Sequence, residues 1–169
     1  MNTLDAIFTR RSIRKFKQGM VDSDHIELII KAGMYAPTAR NTQSNEFIVV
    51  NERHLIDTLS TVHPHAQMLK EAPLAIIVCG NKDIEKEDNY LAINGSAATQ
   101  NILLAVHDLN YGAVWLGVYG RDDRMAGISN LFNLPPHIVP ISAIAIGLPN
   151  ETKNQPDRFN KMKMHNNGW

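Results

Sequence analysis

A cluster of five cations and no carboxylate lies near the start of the chain, in the run RRSIRKFK at residues 10–17. Arginine recognises oxyanions such as phosphate through a planar, two-pronged set of donors. The whole chain has a formal net charge of zero at pH 7, so the cluster is not part of a generally basic surface. Two interpretations are open: an anion site, or a solvated helix end followed by a basic turn.

Two further groups of residues could bind a flat heterocycle. The loop from Pro37 to Asn45 is dense in amide and hydroxyl side chains, which offer uncharged donors and acceptors to a ring edge. The run Trp115-Leu116-Gly117 ends a predicted strand at a glycine, where a backbone can approach a flat ligand. Together with the cation cluster, these groups could bind a phosphate, form hydrogen bonds with the edge of a ring and place the backbone close to the ring.

Several other kinds of site are not indicated. The sequence contains no Gly-x-Gly-x-x-Gly after a strand, no P-loop and no Gly-x-Ser-x-Gly elbow. Its carboxylates are scattered on predicted polar faces, which argues against paired acid/base catalysis. His63-Pro64-His65 makes only a weak metal signal, and Cys79 lies in an apolar run typical of a buried, inert thiol. An enzyme with this sequence would therefore depend on a bound cofactor.

Length and composition predict one domain over residues 1–169. A chain of this length with 44% hydrophobic residues can bury a sizeable core. The balanced charge provides no sustained basic face for nucleic acid or an anionic membrane. We find no signal-peptide region and no apolar run of about 18–20 residues. We therefore expect a soluble, cytoplasmic protein that binds neither nucleic acid nor membrane.

Helices and buried strands alternate along the chain. Thr3 and the run 22–24 supply N-caps for two helices, the second of which ends near Ala36 because Pro37 cannot continue it. Strands are predicted at 47–50, 74–79, 113–118 and 138–147, with helices at 52–62, 89–110 and 122–132.

The helix predicted at 89–110 has a middle of small and neutral residues, which indicates the core of the domain or a dimer seam. Gly112 is the expected left-handed residue that ends it. The polar stretch 149–169 has few apolar anchors, so it is predicted either to be disordered or to lie across another subunit.

Five motifs occur in order along almost the whole chain. They are RRSIRKF at 10–16, APTA-x-N-x-Q at 36–43, AATQNILLA at 97–105, GAVWLG at 112–117 and IGLP at 146–149, before a closing HNN-x-W. In type and spacing they resemble the FMN-dependent nitroreductase family in one of its short forms. The resemblance implies an α+β fold with a mostly antiparallel central sheet flanked by helices. It also implies a homodimer with two flavins at the interface and C-terminal residues that cross to the partner subunit.

The resemblance further implies which residues hold FMN. Its phosphate and ribityl chain would be bound by Arg10, Arg11, Ser12 and Arg14. Arg158 would add a C-terminal cation on the phosphate, with Lys161 as the possible substitute. Charge-assisted hydrogen bonds of this kind are worth about 1.5–3 kcal/mol each, so a few of them could account for much of the cofactor's retention.

At the ring, the resemblance implies contributions from both subunits. The flavin would be bordered from the partner subunit by Pro37, Thr38 and Ala39, while Asn41 would bind its pyrimidine edge. Its other contacts would be with Trp115, Leu116 and Gly117. The backbone N–H groups of the last two would lie near flavin N5 and O4.

The implied activity is a ping-pong oxidation of NADH or NADPH, with a nitroaromatic, a quinone or a similar small molecule as the electron acceptor. No side chain is assigned as a catalytic acid, since solvent or the flavin can supply protons, and no metal is expected. Arg40 and Arg121 are candidates for the phosphates of the nicotinamide cofactor, although a solvent-exposed role is favoured.

Two departures from the family pattern limit what can be transferred. Thr38 stands where relatives commonly have Ser, and Ser44-Asn45 stands where they have Pro-Trp, beside the expected flavin edge. The physiological acceptor therefore stays open, as does the choice between NADH and NADPH. The alternatives are reductive dehalogenation or flavin fragmentation on the same fold, or a non-enzymatic module that binds an acidic or nucleic-acid partner through Arg10–Lys17.

Overall fold

The structure, a computed structural model, describes all residues from Met1 to Trp169. Its helices are α1 (Thr3–Thr9), α2 (Ser23–Met34), α3 (Arg53–Val62), α4 (Asp88–Asp108) and α5 (Asp122–Leu131). Its strands are β1 (Phe16–Lys17), β2 (Asn45–Val50), β3 (Leu74–Asn81), β4 (Gly112–Gly117) and β5 (Ile138–Pro149). Short 3₁₀ turns occur at Ala39–Asn41, Gln67–Lys70 and Lys161–Lys163.

The five strands form one sheet in the order β2-β3-β5-β4, and β1 pairs only with the last two residues of β5. Every pair of strands is antiparallel. A single parallel bridge between Ser12 and Ala113 sets the cation cluster beside the start of β4. The predicted α+β fold, a mostly antiparallel sheet flanked by helices, is confirmed.

Helices cover both faces of the sheet. Successive residues of β3 point to opposite sides, so its side chains pack alternately against the helices of each face. On one face, Ile76 packs with Ile29 of α2 and Ile102 of α4. On the other, Ile77 packs with residues of α3 and α5. Burial on both faces explains why β3 and β5 are continuous apolar runs rather than alternating ones. None of the helices is long and apolar enough to cross a membrane.

The strand and helix boundaries lie within two residues of the predicted ones, but several local predictions were wrong. Asn2 rather than Thr3 caps α1, since its side chain accepts a hydrogen bond from the backbone N–H of Asp5. The left-handed residue after α4 is Asn110, with φ of 65°, and not Gly112, which begins β4. The short strand β1 carries no pattern of its own and was not predicted.

The segment after β5 runs over the surface of the molecule. Phe159 is 74% exposed, and the only regular element is the turn at Lys161–Lys163. Its first residues contact the cation cluster, because Glu151 accepts a hydrogen bond from the N–H of Arg14. The crossing of this tail to a partner subunit stays a prediction.

Candidate functional site

The cation cluster is held between the end of α4 and the start of β4. Thr9 Oγ1 lies 2.8 Å from His107 Nε2, near the C-terminal end of α4. The N–H of Ile13 donates to the carbonyl oxygen of Ala113 over 2.9 Å. Gly112 is needed for this approach, because a Cβ there would lie only 2.8 Å from a methyl group of Ile13. The position of residues 10–13 is thus fixed by packing as well as by hydrogen bonds.

The structure brings the predicted C-terminal cation to the cluster. Burial lowers the pKa of the Arg10 guanidinium, and the nearby charges of Arg11 and Arg158 lower it further. Arg11 and Arg158 also line a common groove. Like charges held this close favour a bound anion, which would relieve their repulsion. Lys161 lies farther along the tail, in its 3₁₀ turn.

The guanidinium groups of the cluster differ in what they bind. Arg11 is committed to backbone carbonyls, since Nη1 donates to Arg10 O over 2.6 Å and Nε to Asn154 O over 3.2 Å. Arg14 uses only its backbone N–H, which donates to Glu151 Oε1, and its exposed guanidinium has no partner within the chain. Arg14 is therefore better placed than Arg11 to take up a ligand.

A cavity of about 270 Å³ adjoins the cluster, lined in part by Arg10, Arg11, His107, Glu151 and Lys153. Burial lowers the pKa of His107, and the positive charge of Arg10 acts in the same direction. The pKa of Glu151 is lowered chiefly by the N–H of Arg14. The cavity is therefore lined by three basic side chains and one carboxylate, and it is electropositive.

The loop from Pro37 to Asn45 is anchored near the N-terminal end of α4 by Asn94, whose side chain is buried. Asn94 Oδ1 accepts from the N–H of Ala39 over 2.9 Å, and its Nδ2 donates to Ser44 Oγ over 3.3 Å. Asn45 Nδ2 donates back to the carbonyl oxygen of Asn94. Ser44 and Asn45, where the sequence departs from the family pattern, thus stabilise the loop. Sequence reasoning did not assign Asn94 this role.

The same loop has an unusual backbone. Arg40, Asn41 and Gln43 have φ values of 54°, 54° and 51°, in the left-handed region that non-glycine residues rarely adopt. The N–H of Gln43 is fixed by Thr38 Oγ1 over 3.0 Å. The exposed side chain of Asn41 has only one long contact, of 3.4 Å, with Gln43 Nε2. Backbone strain of this kind persists where surrounding contacts hold it, and it concentrates at functional sites.

Within one chain, the cation cluster and this loop contact different parts of α4. Asn94, which holds the loop, and His107, which contacts the cluster, are thirteen positions apart on α4. At about 1.5 Å per residue, these two residues are separated by roughly 20 Å along the helix.

The end of β4 offers an open backbone surface. Trp115 and Gly117 are exposed while Leu116 between them is buried. A Cβ at Gly117 would meet no heavy atom within 4 Å, so a flat ligand could approach the strand here. From Gly112 beside the cation cluster to Gly117, β4 spans roughly 17 Å at about 3.3 Å per residue. This edge suits an elongated ligand with an anionic end and a flat ring.

His63 and Arg124, which sequence reasoning missed, both bind the carbonyl oxygen of Gly117. The distances are 3.0 Å from His63 Nε2 and 2.8 Å from Arg124 Nη1. A carbonyl only accepts hydrogen bonds, so Nε2 carries the proton, and Nδ1 accepts from the N–H of His65. Burial lowers the pKa of His63, and the charge of Arg124 lowers it further. A histidine before a turn gives no sequence signal of this contact.

The structure contains no group of three His, Cys, Asp or Glu residues that could hold a metal ion. Cys79 is fully buried, and burial raises the pKa of its thiol to about 12. The prediction of a buried, inert thiol is confirmed. Arg40, a candidate for the nicotinamide phosphates, is bound to Glu85 and Glu87 instead. Arg121 is exposed and occupies the N-cap position of α5, where its side chain makes no capping hydrogen bond.

Comparison with known proteins gives one consistent result. A family model described as "Nitroreductase family" matches residues 7–63 and 60–148. A candidate NADH dehydrogenase/NAD(P)H nitroreductase from Methanothermobacter thermautotrophicus is 43% identical over 169 residues, which are 100% of this chain and 88% of the relative.

Solved structures extend the similarity to the whole fold. A candidate NADH dehydrogenase/NAD(P)H nitroreductase from Parabacteroides distasonis is 39% identical, with a TM-score of 0.95 and complete coverage of both chains. A candidate nitroreductase from Desulfovibrio desulfuricans, solved in complex with FMN, is 28% identical, with a TM-score of 0.86 over 100% of this chain and 99% of that one.

Proposed function

The chain belongs to the nitroreductase family, and we propose that it is an FMN-dependent oxidoreductase that uses NADH or NADPH to reduce small-molecule acceptors. The proposal draws on the relative named for NAD(P)H and on the neighbour solved with FMN. Nitroaromatics and quinones are the acceptor classes that we propose. The observation that carries the proposal is the β4 edge, which begins at the cation cluster and ends at the open surface of Gly117.

The residues at the two ends of the β4 edge are chemically suited to the phosphate and to the ring of FMN. Arg10, Arg14 and Arg158 would hold the phosphate, because each guanidinium can donate two hydrogen bonds to one anion. Ser12 lies at the bridge to β4, where the ribityl chain would pass. At the other end, the backbone of Leu116 and Gly117 would contact the ring beside Trp115.

When bound, FMN would supply the redox chemistry, which is two-electron exchange with NAD(P)H and with the acceptor. The chain's own contribution is to bind the cofactor, orient it and leave one ring face open to both substrates. Backbone N–H groups near the ring would stabilise developing negative charge without any proton transfer from a side chain. We therefore assign no catalytic residue.

We further propose that the protein acts as a homodimer and that Pro37, Thr38, Ala39 and Asn41 serve the flavin of the partner subunit. The family resemblance supports this arrangement, because it implies that each flavin is bordered by residues of both subunits. A second copy would bring its loop to the β4 edge of the first.

The first experiment is to measure the flavin content of the purified protein. We expect a yellow protein with about one FMN per subunit. Anaerobic NADH or NADPH should bleach it, and a nitroaromatic or a quinone should restore the colour. Colourless protein that added FMN does not reconstitute would refute the proposed function. Comparing the rates of bleaching by the two nicotinamide cofactors would then identify the preferred one.

A further inference from the structure

Glu85 is a buried carboxylate outside the groups discussed for FMN. Its side chain is 1% exposed, and Arg40 Nη2 donates to both of its oxygens, over 2.8 and 3.0 Å. The N–H of Glu87 donates to Glu85 Oε1 over 3.0 Å. A carboxylate withdrawn from water is costly unless it is paired and hydrogen-bonded, and here it is both. Hydrogen bonding from Glu87 N–H, followed by that from Arg40, lowers the pKa of Glu85.

Arg40 links this carboxylate to the loop that contains three left-handed residues. Its own φ is 54°, as is that of the next residue, Asn41. Its guanidinium also binds Glu87 Oε1 over 2.9 Å and lies 5.2 Å from the centre of the Tyr90 ring. The ion pair therefore ties the strained loop to the segment after β3, and its contacts offset the strain.

A backbone hydrogen bond joins the same two segments. The N–H of Asn81 donates to the carbonyl oxygen of Ser44 over 2.8 Å, so the far end of the loop is also fixed. Asn41 lies between these two attachments, and its exposed amide is left for a ligand.

We propose that Arg40 and Glu85 form a clasp that holds the Pro37–Asn45 loop in its ligand-binding conformation before FMN arrives. The clasp rests on the proposed function, because the loop is assigned to the pyrimidine edge of the partner's flavin. Both are positioning residues that act through Asn41. Pre-organisation of this kind raises affinity by removing the cost of ordering the loop on binding. The guanidinium of Arg40 is consequently not available to the phosphates of a nicotinamide cofactor.

The test compares Glu85→Gln with Glu52→Gln, a matched control whose side chain is 66% exposed and pairs only with His54, away from Arg40. FMN is titrated into the apoprotein, the visible flavin band is recorded, and amide hydrogen exchange is followed in residues 38–45. We expect Glu85→Gln to weaken FMN binding about tenfold or more, to shift the flavin band and to speed exchange in the loop. Glu52→Gln should change FMN affinity less than about twofold.

Arg40→Gln provides a second variant that does not require a change in the core, because the Arg40 side chain is 59% exposed. It should reproduce the effects of Glu85→Gln. If Glu85→Gln does not fold, Arg40→Gln alone tests whether the clasp positions the loop. Unchanged FMN affinity, flavin band and loop exchange in Arg40→Gln would overturn the clasp. If the wild-type protein bound no FMN, the proposed function would fail, while loop exchange in the variants would still decide whether the clasp exists.

Discussion

His63 donates a hydrogen bond from Nε2 to the carbonyl oxygen of Gly117 over 3.0 Å, joining the turn after α3 to the end of β4. The imidazole is 3% exposed and uses both of its nitrogens, so the contact fixes one neutral tautomer. The last residue of β4 is therefore held from outside the sheet, at the place where we expect the flavin ring.

This contact predicts a loss of stability in mild acid. Because burial lowers the pKa of His63 below 6.5, the unfolded state binds more protons than the folded state as the pH falls. Stability is thus retained above about pH 6.5 and lost as the pH falls toward the folded pKa. Urea denaturation between about pH 7.5 and pH 5.5 should show this slope, and His63→Gln should reduce it.

The matched control is His54→Gln, at a residue of α3 whose side chain is 72% exposed. It measures how much of the slope is lost when an exposed imidazole is removed. Part of the slope should survive in His63→Gln, because burial also lowers the pKa of His107. Equal slopes in the wild type and His63→Gln would show that His63 does not titrate with folding.

The two glycines at the ends of β4 should respond differently to alanine. At Gly117 a Cβ meets nothing within 4 Å, so Gly117→Ala should leave apoprotein stability within about 0.5 kcal/mol while weakening FMN binding. At Gly112 a Cβ would lie 2.8 Å from Ile13, and Gly112→Ala should cost about 1–3 kcal/mol of stability. Urea denaturation and FMN titration of both variants check this pair. Normal FMN binding by Gly117→Ala would exclude this surface as the ring site.

The sequence predicted the sheet and helices well because their signals are local. The apolar run of β3 and the small residues of α4 indicate burial from the segment's own sequence, without knowledge of which other elements pack on it. The misplaced left-handed residue, in contrast, has a cause that is not local. Asn110 tolerates this conformation, while Gly112 is small because Ile13, far away in sequence, packs on it.

The contacts that support the candidate site could not be predicted from the sequence, because they are not local. Asn94 with Ala39, His63 with Gly117 and Arg40 with Glu85 join residues that are tens of positions apart. None has a recognisable spacing, so only the fold reveals them. Glu85 is an example. The scattered carboxylates of the sequence were predicted to lie on polar faces, whereas the side chain of Glu85 is buried.

Removal of single arginines should separate ligand-binding cations from solvated ones. Arg14 has no partner for its guanidinium, so Arg14→Ala should weaken FMN binding by about tenfold or more without unfolding the protein. Lys17→Ala is the control, because Lys17 is an exposed residue of β1 that contacts no carboxylate. FMN titration by fluorescence gives both affinities. Equal losses in the two variants would indicate non-specific attraction to the basic segment.

Mixed dimers would test whether each flavin is bound by two subunits. In the proposed homodimer, Arg10 and Asn41 of one chain serve different flavins, because the loop that contains Asn41 contributes to the flavin of the partner subunit. When Arg10→Ala and Asn41→Ala chains are co-expressed, a mixed dimer combines both defects in one site and leaves the other intact. Random pairing then restores about a quarter of the wild-type sites, measured as tightly bound FMN.

Arg10→Ala co-expressed with Arg14→Ala is the control, since both residues lie in the cation cluster of one chain. Every site of their mixed dimers carries one defect, so no tight sites should return. If Arg10→Ala with Asn41→Ala likewise restores nothing, the loop and the cluster act on the same flavin from one chain. That result would contradict the proposal that the loop serves the flavin of the partner subunit, because a flavin bound by one chain needs no second loop.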